Sequence, residues 1–337
     1  MPKRKPSPAA QLDLAIDALL ASAPSSPPKL SRELARLLPV ARALRDLPRP
    51  EFKIALKSDL QRRTTMTEAA APAPITPEKP NFRRAGFDNI APYFLVHGAP
   101  QFLDFLVSAF EATERIRVPR PDGSIMHAEV AIGPADVIEL GDANEQYPAR
   151  PMTTHLYVPD AHATYARALQ AGANGIHPPN DSHPSGDRWG IVIDAFGNTW
   201  FIATPGRWAT GPERYRAVQP YLHLREAHKM IPFAEAAFGA HASGVAASPE
   251  GLIYHATIEI AGATFEISEA RTDAEASPHY LHAYVPDTDA AYAQALAAGA
   301  TGVTPPNDAP YGDRAASVKD PFGNTWFLAT YLGAERP

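Results

Sequence analysis

The side chains with chemical potential in this sequence recur in two matched sets. His155 opens a run HLYV and His282 opens HAYV. Gly186-Asp187-Arg188 is echoed by Gly312-Asp313-Arg314, Trp200-Phe201 by Trp326-Phe327, and His127-Ala128 by His255-Ala256. An imidazole on a strand can exchange protons near neutral pH or coordinate a metal, and its bland alternative is a half-buried ring bonded to a neighbour. Arg188 and Arg314 are the first candidates for an anionic ligand, against the commoner reading of a local ion pair with Asp that anchors the loop. Trp200 and Trp326 offer an aromatic floor for a flat or apolar ligand, since alternation sends one residue of each Trp-Phe pair into a cup and the other outward. The sets at Asp194-Ala-Phe-Gly197 and Asp320-Pro-Phe-Gly323 read as structural hairpin turns. With no cysteine in 337 residues, thiolate chemistry, disulfides and cysteine-zinc sites are excluded. There is no Gly-rich phosphate loop, G-x-S-x-G elbow or HExxH.

These residues must be positioned by repeated elements. HLYVPDAHATYARALQAGANGIHPPN, from His155 to Asn180, aligns without gaps on HAYVPDTDAAYAQALAAGATGVTPPN, from His282 to Asn307, and GDRWGIVIDAFGNTWFIAT aligns on GDRAASVKDPFGNTWFLAT. Upstream, Pro92-Tyr93 matches Pro220-Tyr221 and Ile138-Glu139-Leu140 matches Phe265-Glu266-Ile267. A repeat of about 115 to 125 residues has the size of a whole domain, not of a solenoid unit. Within each copy the order strand, helix, alternating strands occurs twice. The fold class expected is therefore α+β, with four βαβββ modules forming two tandem domains of cupped mixed sheets after a helical N-terminal region. The expected boundaries are a basic helical region at 1–63, a Pro/Ala-rich linker at 64–82, domains at 83–205 and 218–332, and a linker at 206–217.

Charge divides the same way. Residues 1–90 carry a net +7 against −13 for the remainder. A basic arm on an acidic body suggests either self-docking or a partner; the interleaved acids and few aromatics argue against nucleic acid. No apolar run approaches a membrane span, and the N-terminus lacks a signal-peptide core, so a cytoplasmic protein without membrane partners is expected.

The elements PYFLVHGAPQFLDFLVSAF, HAEVAIG, HLYVPDAHATYARALQAGA, GDRWG and DAFGNTWFIAT, with their second-copy counterparts, resemble the vicinal oxygen chelate superfamily, in particular its PhnB-like branch of glyoxalase and bleomycin-resistance proteins. The resemblance spans roughly residues 87–331. It implies glyoxalase-like domains on which lyases, isomerases, dioxygenases and plain drug-binding proteins are all found, so fold alone does not fix function. It also implies a divalent ion held by four side chains, one from the first and one from the last strand of each paired module. Those places fall at Ala91, Glu139, Thr153 and Phe201 in the first copy, and at Gln219, Glu266, Tyr280 and Phe327 in the second. Only Glu139, Glu266 and Gln219 are usable there, and Phe stands where each last-strand carboxylate would be. His155 and His282 lie two residues beyond their places, on the same strand face, so a shift of register would restore a ligand.

The expectation is a protein that binds a small organic molecule in its cups without the usual metal, its turnover open and no catalytic residue assigned. Glu139, His155, Arg188, Trp200, Glu266, His282, Arg314 and Trp326 are the candidate ligand contacts. The first alternative is a metal-dependent lyase or dioxygenase that uses Glu139 with His155, or Glu266 with His282. The second is an interaction protein working through its N-terminal helices. Because single-domain relatives commonly pair, a monomer with an internal pseudo-dimer is expected. The copies need not be equivalent, since Ser185 matches Tyr311 and Trp189 matches Ala315.

Overall fold

The computed structural model describes residues 82–84, 86–133, 136–182, 186–206 and 217–333. The expected helical region at 1–63, nearly all of the linker at 64–82 and most of the linker at 206–217 lie outside the described residues.

Four modules follow one another. The first runs β1 (Ile90–Val96), α1 (Ala99–Phe110), β2 (Thr113–Pro119), β3 (Ile125–Ile132) and β4 (Asp136–Asp142). The second runs β5 (Thr153–Tyr157), α2 (Ala161–Gln170), β6 (Asn174–Asn180), β7 (Arg188–Ile193) and β8 (Thr199–Thr204). The third has β9 (Val218–Leu224), a short turn of 3-10 helix at Ala227–Lys229, α3 (Met230–Phe238), β10 (His241–Ala247), β11 (Ile253–Ile260) and β12 (Ala263–Glu269). The fourth has β13 (Tyr280–Tyr284), α4 (Thr288–Ala297), β14 (Thr301–Asp308), β15 (Asp313–Lys319) and β16 (Thr325–Tyr331). This is the expected α+β class.

Local chemistry fixes the helix ends. Asp160 accepts hydrogen bonds from the backbone N–H groups of His162 and Ala163 at the start of α2, and Asp287 does the same for Ala290 at α4. Asp142, at the end of β4, accepts from the N–H groups of Gly98 and Ala99 and so ties the fourth strand to the start of α1. Glu269 plays that part for Glu226 and Ala227. Helices α2 and α4 exit through Gly172 and Gly299, at φ +99° and +105°, which an L side chain adopts only under strain.

The strands form two eight-stranded mixed sheets. The first has the order β14-β15-β16-β13-β1-β4-β3-β2 and the second β10-β11-β12-β9-β5-β8-β7-β6. Each sheet therefore takes one module from each copy: modules one and four join through the antiparallel pair β1–β13, and modules two and three through β5–β9. This corrects the placement of one complete ligand set within each copy. The hydrophobic cores follow the copies instead. One gathers α1, α2, Phe94, Val192 and Trp200, and the other gathers α3, α4, Phe265 and Trp326. The copies thus keep separate apolar centres on the helix-covered faces while sharing both concave faces.

Among the described residues, no helix is long and apolar enough to cross a membrane.

Candidate functional site

Strand pairing brings four places into line on each concave face. In the second sheet, His155 lies opposite Gln219 on one side and Phe201 on the other, and Glu266 lies beside Tyr221. In the first sheet His282 is flanked by Ala91 and Phe327, with Glu139 beside Tyr93. The imidazoles, not Thr153 and Tyr280, occupy the central places. The two-residue shift foreseen as an alternative is the register of the protein.

In the His155 cup, the imidazole Nδ1 lies 3.0 Å from Glu266 Oε2, and the carboxylate's other oxygen accepts from Gln219 Nε2 at 3.2 Å. His255 Nε2 stands 3.6 Å from the same oxygen. The Glu266 side chain is 4% exposed and that of His155 13%. Burial alone would push the Glu266 carboxyl up. The charges and hydrogen bonds of His155 and His255 outweigh burial and hold it at about 2. The contact with Glu266 raises the His255 imidazole, against the burial that draws it down. The ring of Tyr157 stacks on His155, with centroids 4.2 Å apart. His223 is bonded through Nδ1 to Ser268 Oγ at 2.8 Å, and burial keeps its pKa below the usual imidazole value.

The His282 cup has the same centre. His282 Nδ1 is hydrogen-bonded to Glu139. Burial opposes charge on both partners, yet the attraction between them lowers the Glu139 carboxyl and raises the His282 imidazole. Tyr93 Oη is 3.1 Å from His127 Nδ1, and His127 Nε2 is 3.1 Å from Glu129 Oε1. The recurring histidines His127 and His255 therefore belong to the polar clusters of the cups.

Both pairs cross the copies: His155 meets Glu266, and His282 meets Glu139. The expected unions of Glu139 with His155 and of Glu266 with His282 do not form, because their strands belong to different sheets. Duplication makes the partners interchangeable in sequence, and only the β1–β13 and β5–β9 seams decide between them.

The remaining candidates lie elsewhere. Trp200 and Trp326 are fully buried on the helix side, where each indole Nε1 donates to an Asp carboxylate, Asp194 or Asp320, at 2.9 Å. The hairpin carboxylates draw the indoles away from the cups and leave Phe201 and Phe327 as the aromatic floor, which corrects the assignment of the tryptophans as ligand contacts. Arg188 is held by Asp181 in a two-pronged ion pair at 2.7 and 3.0 Å. Arg314 is held by Asp289 at 2.7 and 2.8 Å and by Asp308 at 3.1 Å. Both arginines are loop anchors, with partners other than the adjacent aspartates, and both guanidinium groups are already engaged.

The donor set can be compared with the needs of a divalent ion. At its four strand places each cup supplies one carboxylate and one imidazole, already bonded to each other, with Phe in the last-strand place and Ala91 or the amide of Gln219 in the first. A catalytic ion needs about three protein ligands with free lone pairs. Among the described residues, no group of three or more His, Cys, Asp or Glu is arranged to hold one. The residues do not fit the four-ligand set. What the arrangement can do is present an ionised carboxylate and an imidazole in an apolar, aromatic cup, able to orient a polar edge of a ligand or to move a proton.

Comparison with known proteins agrees with this architecture. The model of the glyoxalase/bleomycin resistance protein/dioxygenase superfamily matches residues 223–328. The chain is 36% identical over 128 residues to Mb0911c of Mycobacterium bovis, a match covering 35% of this chain and 84% of that protein. Rv0887c of Mycobacterium tuberculosis matches at the same identity over 75% of its length. Glyoxalase I from Zea mays superposes with a TM-score of 0.56 at 16% identity, over 71% of this chain and 92% of that one, which is a likeness of fold.

Proposed function

Because the chain belongs to the glyoxalase/bleomycin resistance protein/dioxygenase superfamily, we propose that it binds a small organic molecule in its cupped sheets without the divalent ion typical of metal-dependent members. One observation carries the reading: Phe201 and Phe327 stand beside His155 and His282 in place of carboxylates, while Glu266 and Glu139, the carboxylates left at those places, are each bonded to the imidazole. An apolar wall with a few convergent polar groups is the usual lining of a small-molecule site. The proposal assigns the protein to the PhnB-like branch, whose motifs its sequence resembles. With cups already assembled from two copies, and domains at 83–205 and 218–332, the proposal includes a cytoplasmic monomer.

A second reading is favoured by the 3.0 Å contact of His155 with Glu266. The carboxylate orients the imidazole, whose other nitrogen can then accept a proton from a bound substrate. Turnover of this kind needs no metal. The Glu–His pair is its whole catalytic set.

The test is metal content followed by ligand screening. Purified protein is dialysed against zinc, iron, nickel and manganese in turn. The proposal expects no retention near one equivalent, and thermal-shift hits from a library of small organic compounds that Glu266→Gln or Glu139→Gln weakens. Near-stoichiometric retention abolished by Glu139→Ala or Glu266→Ala would move the protein among the metal-dependent lyases and dioxygenases.

A further inference from the structure

The two cups share a centre and differ around it. We infer that they have divided in role: the His155 cup takes a flat, uncharged aromatic ligand, whereas the His282 cup is filled by the protein's own Arg84 and Tyr147. The inference rests on the small-molecule reading above and adds which cup is used and for what chemistry.

The filling of the His282 cup is visible in two side chains. Tyr147, in the loop after β4, lays its ring against the floor residue Phe327, with centroids 5.2 Å apart, and its hydroxyl is 3.4 Å from those of Thr304 and Ser317. The matching loop after β12 has the small, exposed Ala274 at that place. Arg84 enters from the chain before β1 and donates to Glu129 Oε1 at 2.6 Å; the Glu129 side chain is 2% exposed. That chain is strapped down by the Tyr331 N–H, which donates to the Phe82 carbonyl at 2.8 Å. The acid that receives Arg84 has no counterpart in the other cup, where the matching residue of β11 is Thr257.

The His155 cup differs in the opposite direction. Trp189 and Ile191 stand where its twin has Ala315 and Ser317. Rings on three neighbouring strands lie nearly parallel: His177 and Trp189 at 18° with centroids 4.8 Å apart, Trp189 and Phe201 at 7° and 6.0 Å. Tyr221 closes the row edge-on against Phe201 at 5.6 Å. Such a row suits a flat π-system, whose faces and edges find complementary ring surfaces. His177 Nδ1, in the first ring of the row, is buried without a hydrogen-bond partner. The rim is also more open: the His255 side chain is 40% exposed against 27% for His127, and Tyr157 is half-buried where Tyr284 is buried. The carboxylate of Glu266 is already balanced by two imidazoles, so no unmatched charge invites an ion.

Calorimetric titration of the full chain at pH 7 with 2-naphthol, quinoline and coumarin tests this, with cyclohexanol and 2-naphthoate as non-aromatic and anionic comparators. At least one of the three is expected to bind at one per chain and in preference to both comparators. Trp189→Ala, which installs the residue already present at the matching place, and Phe201→Leu should each weaken it tenfold or more. Arg314→Ala, which breaks only a loop-anchoring ion pair, should leave it unchanged. Arg84→Ala with Tyr147→Ala should open a second site at least tenfold weaker than the first, since Ala315 stands where Trp189 does, and Tyr147→Ala alone should give detectable second-site binding should the double variant fail to fold. Loss on Phe327→Leu with indifference to Trp189→Ala would reverse the assignment while leaving the cups as binding sites. Indifference to every cup variant would sink the small-molecule reading itself. Binding by none of the three, a preference for either comparator, two ligands per wild-type chain, or a count that stays at one in the opened variants would overturn the division proposed here.

Discussion

A double-mutant cycle on His155 and Glu266 probes the bond that joins the copies across the second cup. The folded Glu266 carboxyl sits at about 2 against 4.5 for an unperturbed glutamate, which converts to about 3 kcal/mol of stability at neutral pH. Its folded value is depressed, so this stability is complete above the unfolded pKa of 4.5 and is lost as pH falls toward 2. Two imidazoles share that attraction, and His155 is the nearer, at 3.0 Å against 3.6 Å for His255. His155→Gln and Glu266→Gln should each destabilise by about 2 to 4 kcal/mol, as expected for a buried pair deprived of one partner. Their combination should cost less than the sum by about 1 to 3 kcal/mol. The control pairs His155→Gln with Glu139→Gln, residues of different sheets, which should add within about 0.5 kcal/mol. Urea unfolding at pH 7, followed by circular dichroism, reads all the variants. Additivity for 155 with 266 together with coupling for 155 with 139 would refute the cross-copy pairing.

Other expectations are accessible to the same methods. His279 is fully buried, with Nε2 3.0 Å from the Thr153 N–H and 2.8 Å from its carbonyl, and burial lowers its pKa to about 4. Stability should be intact above the unfolded value of 6.5 and fall by about 3 kcal/mol as pH drops from 6.5 to 4; His279→Gln should flatten that slope, and an unchanged slope would count against the burial. Asp194→Ala strips the acceptor from the Trp200 indole, the Asn198 amide and two backbone N–H groups, so a loss of about 3 kcal/mol or more is expected by urea melt, with Asp320→Ala alike. Arg188→Ala and Arg314→Ala break only exposed ion pairs and should leave both the melting temperature and aromatic-ligand affinity unchanged; a loss of affinity would return them to the site.

Much of the fold was legible because repetition and alternation are written locally. Asp160 and Asp287 mark helix starts, Gly172 and Gly299 mark helix exits, and the paired NTWF runs mark terminal strands. The sheet partners were not legible. HLYV and HAYV carry the same pattern, and either could pair with β1 or β9; the choice belongs to the packing of whole modules. The Trp-Phe alternation required one ring on each face, but which one depended on the carboxylates of Asp194 and Asp320 capturing the indoles. The candidate site was half legible. Glu139, Glu266, His155 and His282 were all marked, yet their true partners lie more than a hundred residues away. His127 and His255 were passed over although their recurrence in both copies was the available signal. The aromatic row of His177, Trp189 and Phe201 could be suspected only from the Trp189 to Ala315 difference between copies.

The most direct test of the shared-cup architecture uses the absence of cysteine from the chain. Ile90 on β1 and Ala283 on β13 are register partners, as are Leu156 on β5 and Val218 on β9. Neighbouring antiparallel strands bring Cα atoms within the span a disulfide bridges. Ile90→Cys with Ala283→Cys should oxidise to a single intramolecular bond, identified by peptide mapping, while Ile90→Cys with Leu156→Cys, two first strands of the same copy, should remain as thiols. A bond between residues 90 and 156, and none between 90 and 283, would show that each cup is closed within its own copy and would contradict the account.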